Sequence, residues 1–102
     1  MDPRESQLRE MVRDFPDSPL THFSLGKYLL EAGRYDDAIH ALEAALRQDA
    51  TYAAALLALG DAYAAIDEKD AARDAYGRCA EAGLAQGHPE LARDARDRIE
   101  EL

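Results

Sequence analysis

The 102-residue sequence predicts an all-α chain, a solenoid of antiparallel helix hairpins with two complete repeats, a half-repeat helix before them and a capping helix after them. Three observations carry this. The chain matches itself at an offset of 34 residues: Leu25-Gly26 falls on Leu59-Gly60, Ala38 on Ala72, Ala41 on Ala75, Leu42 on Tyr76, Ala45 on Cys79, and Tyr28-Leu29 on Ala62-Tyr63. A period of that length is the mark of stacked supersecondary units. Prolines and glycines punctuate the copies where helices begin and end, and no segment alternates apolar and polar side chains long enough to argue for a strand.

The first element is a helix over 3–14, with Asp2 as N-cap and Pro3 at its first position. Its apolar residues Leu8, Met11 and Val12 fall on Leu42, Ala45 and Leu46 at the 34-residue offset, so it reads as the second helix of a preceding copy whose first helix is absent. The leading unit is taken as 3–15. Repeat 1 occupies 19–52: Ser18 is the expected N-cap, Pro19 opens the first helix, Leu25, Tyr28, Leu29 and Ala32 form its buried stripe, and Gly33 is a left-handed stop. Its second helix carries Asp36 and Asp37 in the first turn, where the helix dipole favours acid, and buries Ala38, Ala41, Leu42, Ala45 and Leu46. Repeat 2, over 53–86, follows the same plan with helices near 53–66 and 69–82, the second expected to close at Gly83. After Gly87-His88-Pro89 a last helix over 89–102 has one apolar face (Leu91, Ala92, Ala95, Ile99, Leu102) and one charged face, the make-up of a helix that caps a solenoid.

Gly26 and Gly60 lie inside helices, where glycine costs about 1 kcal/mol against alanine. A sequence with 21 alanines had the alternative at hand. The offsetting gain is steric: the partner helix of the hairpin crosses too close for a side chain, and the small residues Ala38, Ala45, Ala72 and Cys79 are expected on its facing side.

Bulk composition narrows the function class. Charged residues are 32% and hydrophobic residues 47% of the chain, a globular profile with room for one domain over 1–102. Twelve basic against twenty-one acidic residues give a net charge of −9, which repels nucleic-acid backbones and anionic membranes, so partners of either kind are not expected. The longest uncharged stretch, Ala50 to Gly60, is too short to span a bilayer. A single cysteine, Cys79, excludes an internal disulfide, and the absence of a signal-peptide pattern after Met1 leads to a cytoplasmic reading, either of the chain or of a larger protein containing it.

Candidate chemical motifs are few. His22, His40 and His88 have no metal-ligand spacing, Cys79 sits at a small-residue packing position, and adjacent carboxylates such as Asp36-Asp37 and Glu100-Glu101 diverge on a helix. Glu43–Arg47, Asp74–Arg78 and Asp94–Arg98 are expected as solvated i, i+4 pairs. No catalytic residue, cofactor or metal is expected.

The repeated residues resemble the tetratricopeptide repeat, whose pattern runs W-x2-L-G-x2-Y, then A-x3-F, then P. The first copy reads His22, Leu25, Gly26, Leu29, Ala38, Leu42, Ala45 and, at the proline position, Ala50. The second reads Leu56, Leu59, Gly60, Tyr63, Ala72, Tyr76, Cys79 and Leu84; the leading half-unit supplies Leu8, Met11 and Pro16, and Gly33-Arg34-Tyr35 matches the family's Gly-x-Tyr turn. The resemblance covers about residues 3–86. His22 for a large apolar residue, Asp67 for the turn glycine and Lys69 for the turn tyrosine depart from it, and are expected to weaken local packing without changing the fold.

The resemblance implies a right-handed solenoid and a non-catalytic protein-interaction scaffold. Its concave groove, lined by the first helix of each pair, would carry Leu20, Phe23, Lys27, Leu30 and Glu31, then Ala54, Leu57, Asp61, Ala64 and Ala65. Family members that grip a C-terminal carboxylate use lysine, arginine and asparagine in these places; here Lys27 alone is basic, Asp61 is acidic, and the chain has no asparagine. An apolar groove centred on Phe23, Leu30 and Leu57 suits an amphipathic helix or an extended apolar segment of a partner protein, unless neighbouring helices cover those three side chains. The alternative function is self-assembly, a weak homo-oligomer in which the face of Leu8, Met11 and Val12, or the groove itself, packs on another copy.

Overall fold

In a computed structural model, described here for residues 2–102, the chain forms six helices: α1 (Pro3–Asp14), α2 (Pro19–Glu31), α3 (Tyr35–Gln48), α4 (Ala53–Ala65), α5 (Lys69–Ala85) and α6 (Pro89–Glu101). Among the described residues there is no strand. Helices α2 and α3 pair most extensively, then α4 with α5 and α5 with α6, while α3 packs on α4 and α1 on α2. That order is a stack of hairpins, a helical solenoid. It measures 36 × 28 × 19 Å with a radius of gyration of 13.1 Å. A globular domain of this length has about 13 Å, so the stack is too short to open into a deep superhelix.

Three turns end in the same way. Gly33 (φ 77°), Asp67 (φ 62°) and Gly87 (φ 78°) adopt the left-handed conformation after α2, α4 and α5. In each, the next residue's N–H reaches back to a last-turn carbonyl: Arg34 to Leu29 at 2.9 Å, Glu68 to Tyr63 at 2.9 Å, His88 to Gly83 at 2.7 Å. These are Schellman stops. The stop after α5 is therefore Gly87, and α5 runs through Gly83 to Ala85, which corrects the expected end at 82. Gly83 serves packing instead: a Cβ there would lie 3.1 Å from His88 O and 3.3 Å from Ala92 N, where α6 crosses.

The N-termini are mixed. Asp2 caps α1 as expected, accepting from Arg4 N at 2.9 Å. Ser18 precedes α2 without a side-chain cap bond. Thr21 Oγ1 holds that turn, donating to Phe15 O (2.9 Å) and Ser18 O (3.1 Å), and His22 Nε2 donates to Pro16 O at 2.7 Å.

The two mid-helix glycines mark close crossings, and the structure changes the identity of what crosses. A Cβ on Gly26 would lie 2.7 Å from Leu42 Cγ and 3.2 Å from Leu42 N; one on Gly60 would run into the Tyr76 ring, 2.5 Å from Cδ1. The opposing residue in each hairpin is thus a bulky side chain of the second helix, Leu42 or Tyr76, and not a small one. The alanines expected there and Cys79 are fully buried on either side of it. A glycine makes the socket, and a leucine or tyrosine fills it.

Candidate interaction surface

Six of the ten groove positions fall in three separate clefts. Phe23, Lys27 and Glu31 of α2 line a cleft of about 490 Å³ with Arg4 and Leu8 of α1 and with Tyr28. Ala54 borders a cleft of about 280 Å³ with Tyr52 and Leu91. Asp61 and Ala64 border a third, of about 360 Å³, with Tyr76, Arg98 and Leu102. Leu30 and Leu57 are half-buried against the core, whereas Leu20 and Ala65 are exposed.

The first cleft is built by short polar links between sequence-distant residues. Tyr28 donates its hydroxyl to Asp2 Oδ2 at 2.7 Å, so one carboxylate both caps α1 and ties it to α2. That bond, with the Arg4 N–H, holds the Asp2 carboxyl below its ordinary value and raises the Tyr28 phenol. The Arg4 guanidinium lies 5.8 Å from the centre of the Tyr28 ring, within cation–π range. On the other side, Phe23 meets Tyr52 with ring centres 5.2 Å apart. Lys27 and Glu31 stand exposed at the rim.

Glu5 is a buried polar residue that the sequence did not predict. It is 5% exposed, and its carboxylate accepts from Arg9 Nε (3.0 Å) and Arg34 Nη1 (2.6 Å), fastening α1 to the turn before α3. The bond from Arg9, and then that from Arg34, hold its carboxyl below the ordinary range against the opposing effect of burial. A signal existed: at the 34-residue offset Glu5 falls on Ile39, a buried apolar position.

Asp61 is taken up within the chain. Its Oδ1 accepts from the Tyr76 hydroxyl at 2.5 Å and pairs with Arg98 Nε at 3.3 Å. Arg98 thus reaches across to α4 in place of the expected pair with Asp94, and α6 closes this end of the groove. Burial, then the bond to Asp61, pushes the Tyr76 phenol well above its ordinary value. Asp74 and Arg78 do pair, at 3.8 Å on the surface. Cys79 is a buried free thiol whose pKa is raised by burial, the setting of an inert packing residue.

A protein-family model described as tetratricopeptide repeat matches residues 23–89. The chain belongs to the tetratricopeptide repeat family. Two solved structures share the architecture of this repeat domain. Protein BPP2914 from Bordetella parapertussis, determined in solution, is 27% identical with a TM-score of 0.84, over 99% of this chain and 88% of that one. MamA, seen in a crystal structure, is 28% identical with a TM-score of 0.74, over 96% of this chain. The repeat domain spans 66% of the MamA chain. No curated protein matches the sequence. In the terms of the repeat, α2 with α3 and α4 with α5 are the two complete units, α1 is an unpaired second helix, and α6 is the cap. Such repeats are interaction modules, and no helix among the described residues is long and apolar enough to cross a membrane.

Proposed function

We propose that this domain is a non-catalytic scaffold that takes a peptide or amphipathic helix of a partner protein against the inner face formed by α2 and α4. The observation that carries the reading is the cleft of about 490 Å³ in which Phe23 stays half-buried beside exposed Lys27 and Glu31. An aromatic surface flanked by two opposite charges offers apolar contact with polar ends, the chemistry of recognition. The engagement of Asp61 by Tyr76 and Arg98 confines the binding length to α2 and the first turns of α4, and it removes the acid that a cationic ligand would have sought there.

The test is affinity capture on the immobilised domain, with Phe23→Ser/Leu57→Ser as the control. A protein retained by the wild type and lost by the variant, with helicity and melting unchanged, supports the groove. Equal retention by both proteins, or collapse of the melting transition in the variant, overturns it, because those side chains would then be idle or core.

A further inference from the structure

Helix α1 is held unlike the other five. Each of α2 to α6 buries apolar side chains, six of them in α3, whereas among the described residues the only one that α1 buries is Glu5. Leu8 and Val12 are half-buried, and Met11 is 39% exposed. The packing of α1 on α2 is the slightest between successive helices. Charge makes up the difference. Glu5 accepts from Arg34 Nη1 at 2.6 Å in the turn before α3, the Tyr28 hydroxyl of α2 donates to Asp2 Oδ2 at 2.7 Å, and the Arg4 guanidinium faces the Tyr28 ring.

We propose that α1 is a detachable flap, docked by charged links, that leaves the domain while α2 to α6 stay folded. Those five helices are held by apolar burial, which protonation and salt do not weaken in the way they weaken an ion pair. With 12 residues, α1 has about the length at which an isolated helix is marginal in water, so release takes it from order to disorder. Arg4 and Leu8 wall the cleft of about 490 Å³ that also holds Phe23, and release dismantles it. That consequence for a partner rests on the function proposed above; the release itself does not.

Acid is the releasing condition. The Glu5 carboxylate faces Arg9 of its own helix, Arg34 of the turn, Asp37 of α3 through the shared Arg34, and the neutral Tyr28 phenol of α2. Asp2 faces Tyr28 and Arg4. The arginines stay charged as pH falls, and the two α1 carboxylates do not. Both are held below their ordinary values in the docked state, so docking is complete above about pH 4.3 and is lost as pH falls through the lower native values.

Amide hydrogen exchange on the whole chain, read by NMR without ligand and corrected for intrinsic rates, tests the flap. At pH 7 the amides of α1 should be protected, yet exchange at least about tenfold faster than those of α3. Glu5→Gln and Arg34→Gln should each lower protection in α1 by a further factor of about ten, leaving α3 unchanged. The wild type should lose α1 protection between about pH 6 and about pH 3.5, and Glu5→Gln should flatten that loss. Unprotected α1 amides at pH 7 overturn the docking. Equal protection of α1 and α3 shows that α1 opens only with the whole domain, and overturns the flap. So does a loss that α3 shares in the variants, or no loss in them at all. With no ligand present, these outcomes judge the flap alone, whereas capture on Phe23→Ser/Leu57→Ser judges the groove.

Discussion

Gly60 and Gly77 lie in the same repeat, both inside helices, and replacing each by alanine should have opposite effects. At Gly60 the new methyl would sit 2.5 Å from Tyr76 Cδ1. That ring cannot swing aside: Tyr76 is 2% exposed, and its hydroxyl is held by Asp61 at 2.5 Å. Alanine gains about 1 kcal/mol of helix propensity, and overpacking costs about 1–3 kcal/mol. With the neighbour pinned, the upper half of that range applies, and the net loss is about 1–2 kcal/mol. At Gly77 nothing lies within 4 Å, so the propensity gain of about 0.5–1 kcal/mol stands alone. Urea titrations followed by far-ultraviolet circular dichroism measure both, and melting temperatures should separate in opposite directions by about 4–8 °C per kcal/mol. Stabilisation by Gly60→Ala equal to that by Gly77→Ala refutes the close crossing.

Asp67 holds φ at 62° with its side chain in solvent, so Asp67→Gly should stabilise the domain by up to about 1 kcal/mol, measured in the same titrations. Glu5 has a depressed native pKa, so its stabilising effect is complete above the ordinary glutamate value of about 4.3 and is lost as pH falls through the lower native value. Stability curves of Glu5→Gln and the wild type should therefore begin to converge as pH falls below about 4.3; curves that stay parallel through the acid limb contradict the link to Arg9 and Arg34. Tyr76 has a raised native pKa, so its effect is complete below about pH 10 and is lost as pH rises further. Tyr76→Phe should flatten the alkaline limb of the stability profile, and an ultraviolet titration should find one tyrosine that ionises only as the domain unfolds.

The helices were legible because their signals are local. Pro3, Pro19 and Pro89 open helices where the sequence places them, Gly33 ends one, and the 34-residue offset pairs residues that are in fact equivalent. What was not legible depends on neighbours far along the chain. Gly83 has the same local signature as a helix stop, and only the path of α6 makes it a packing glycine. Arg98 has Asp94 at i−4, yet Asp61 is within its reach across the groove and is already hydrogen-bonded to Tyr76, so the pair forms there. Ser18 is a good cap by type but makes no side-chain cap bond, and the turn is held instead by the Thr21 hydroxyl donating to the Phe15 and Ser18 carbonyls. Of the groove positions, Phe23, Lys27 and Glu31 share one cleft. The position of Asp61 follows the 34-residue phase, but its engagement depends on α6, which falls outside that phase.

The unlike chemistry of the two ends gives the array a direction of growth. A duplicated hairpin joined ahead of α1 would meet Leu8 and Met11, apolar and open, and could settle as a further layer. The same hairpin joined behind α6 would meet arginines and carboxylates that prefer water. Lengthening this protein, by gene duplication or on the bench, is therefore a one-sided operation, and a ladder of variants extended from the amino terminus should gain cooperativity with each rung, whereas rungs added at the carboxyl terminus should unfold on their own.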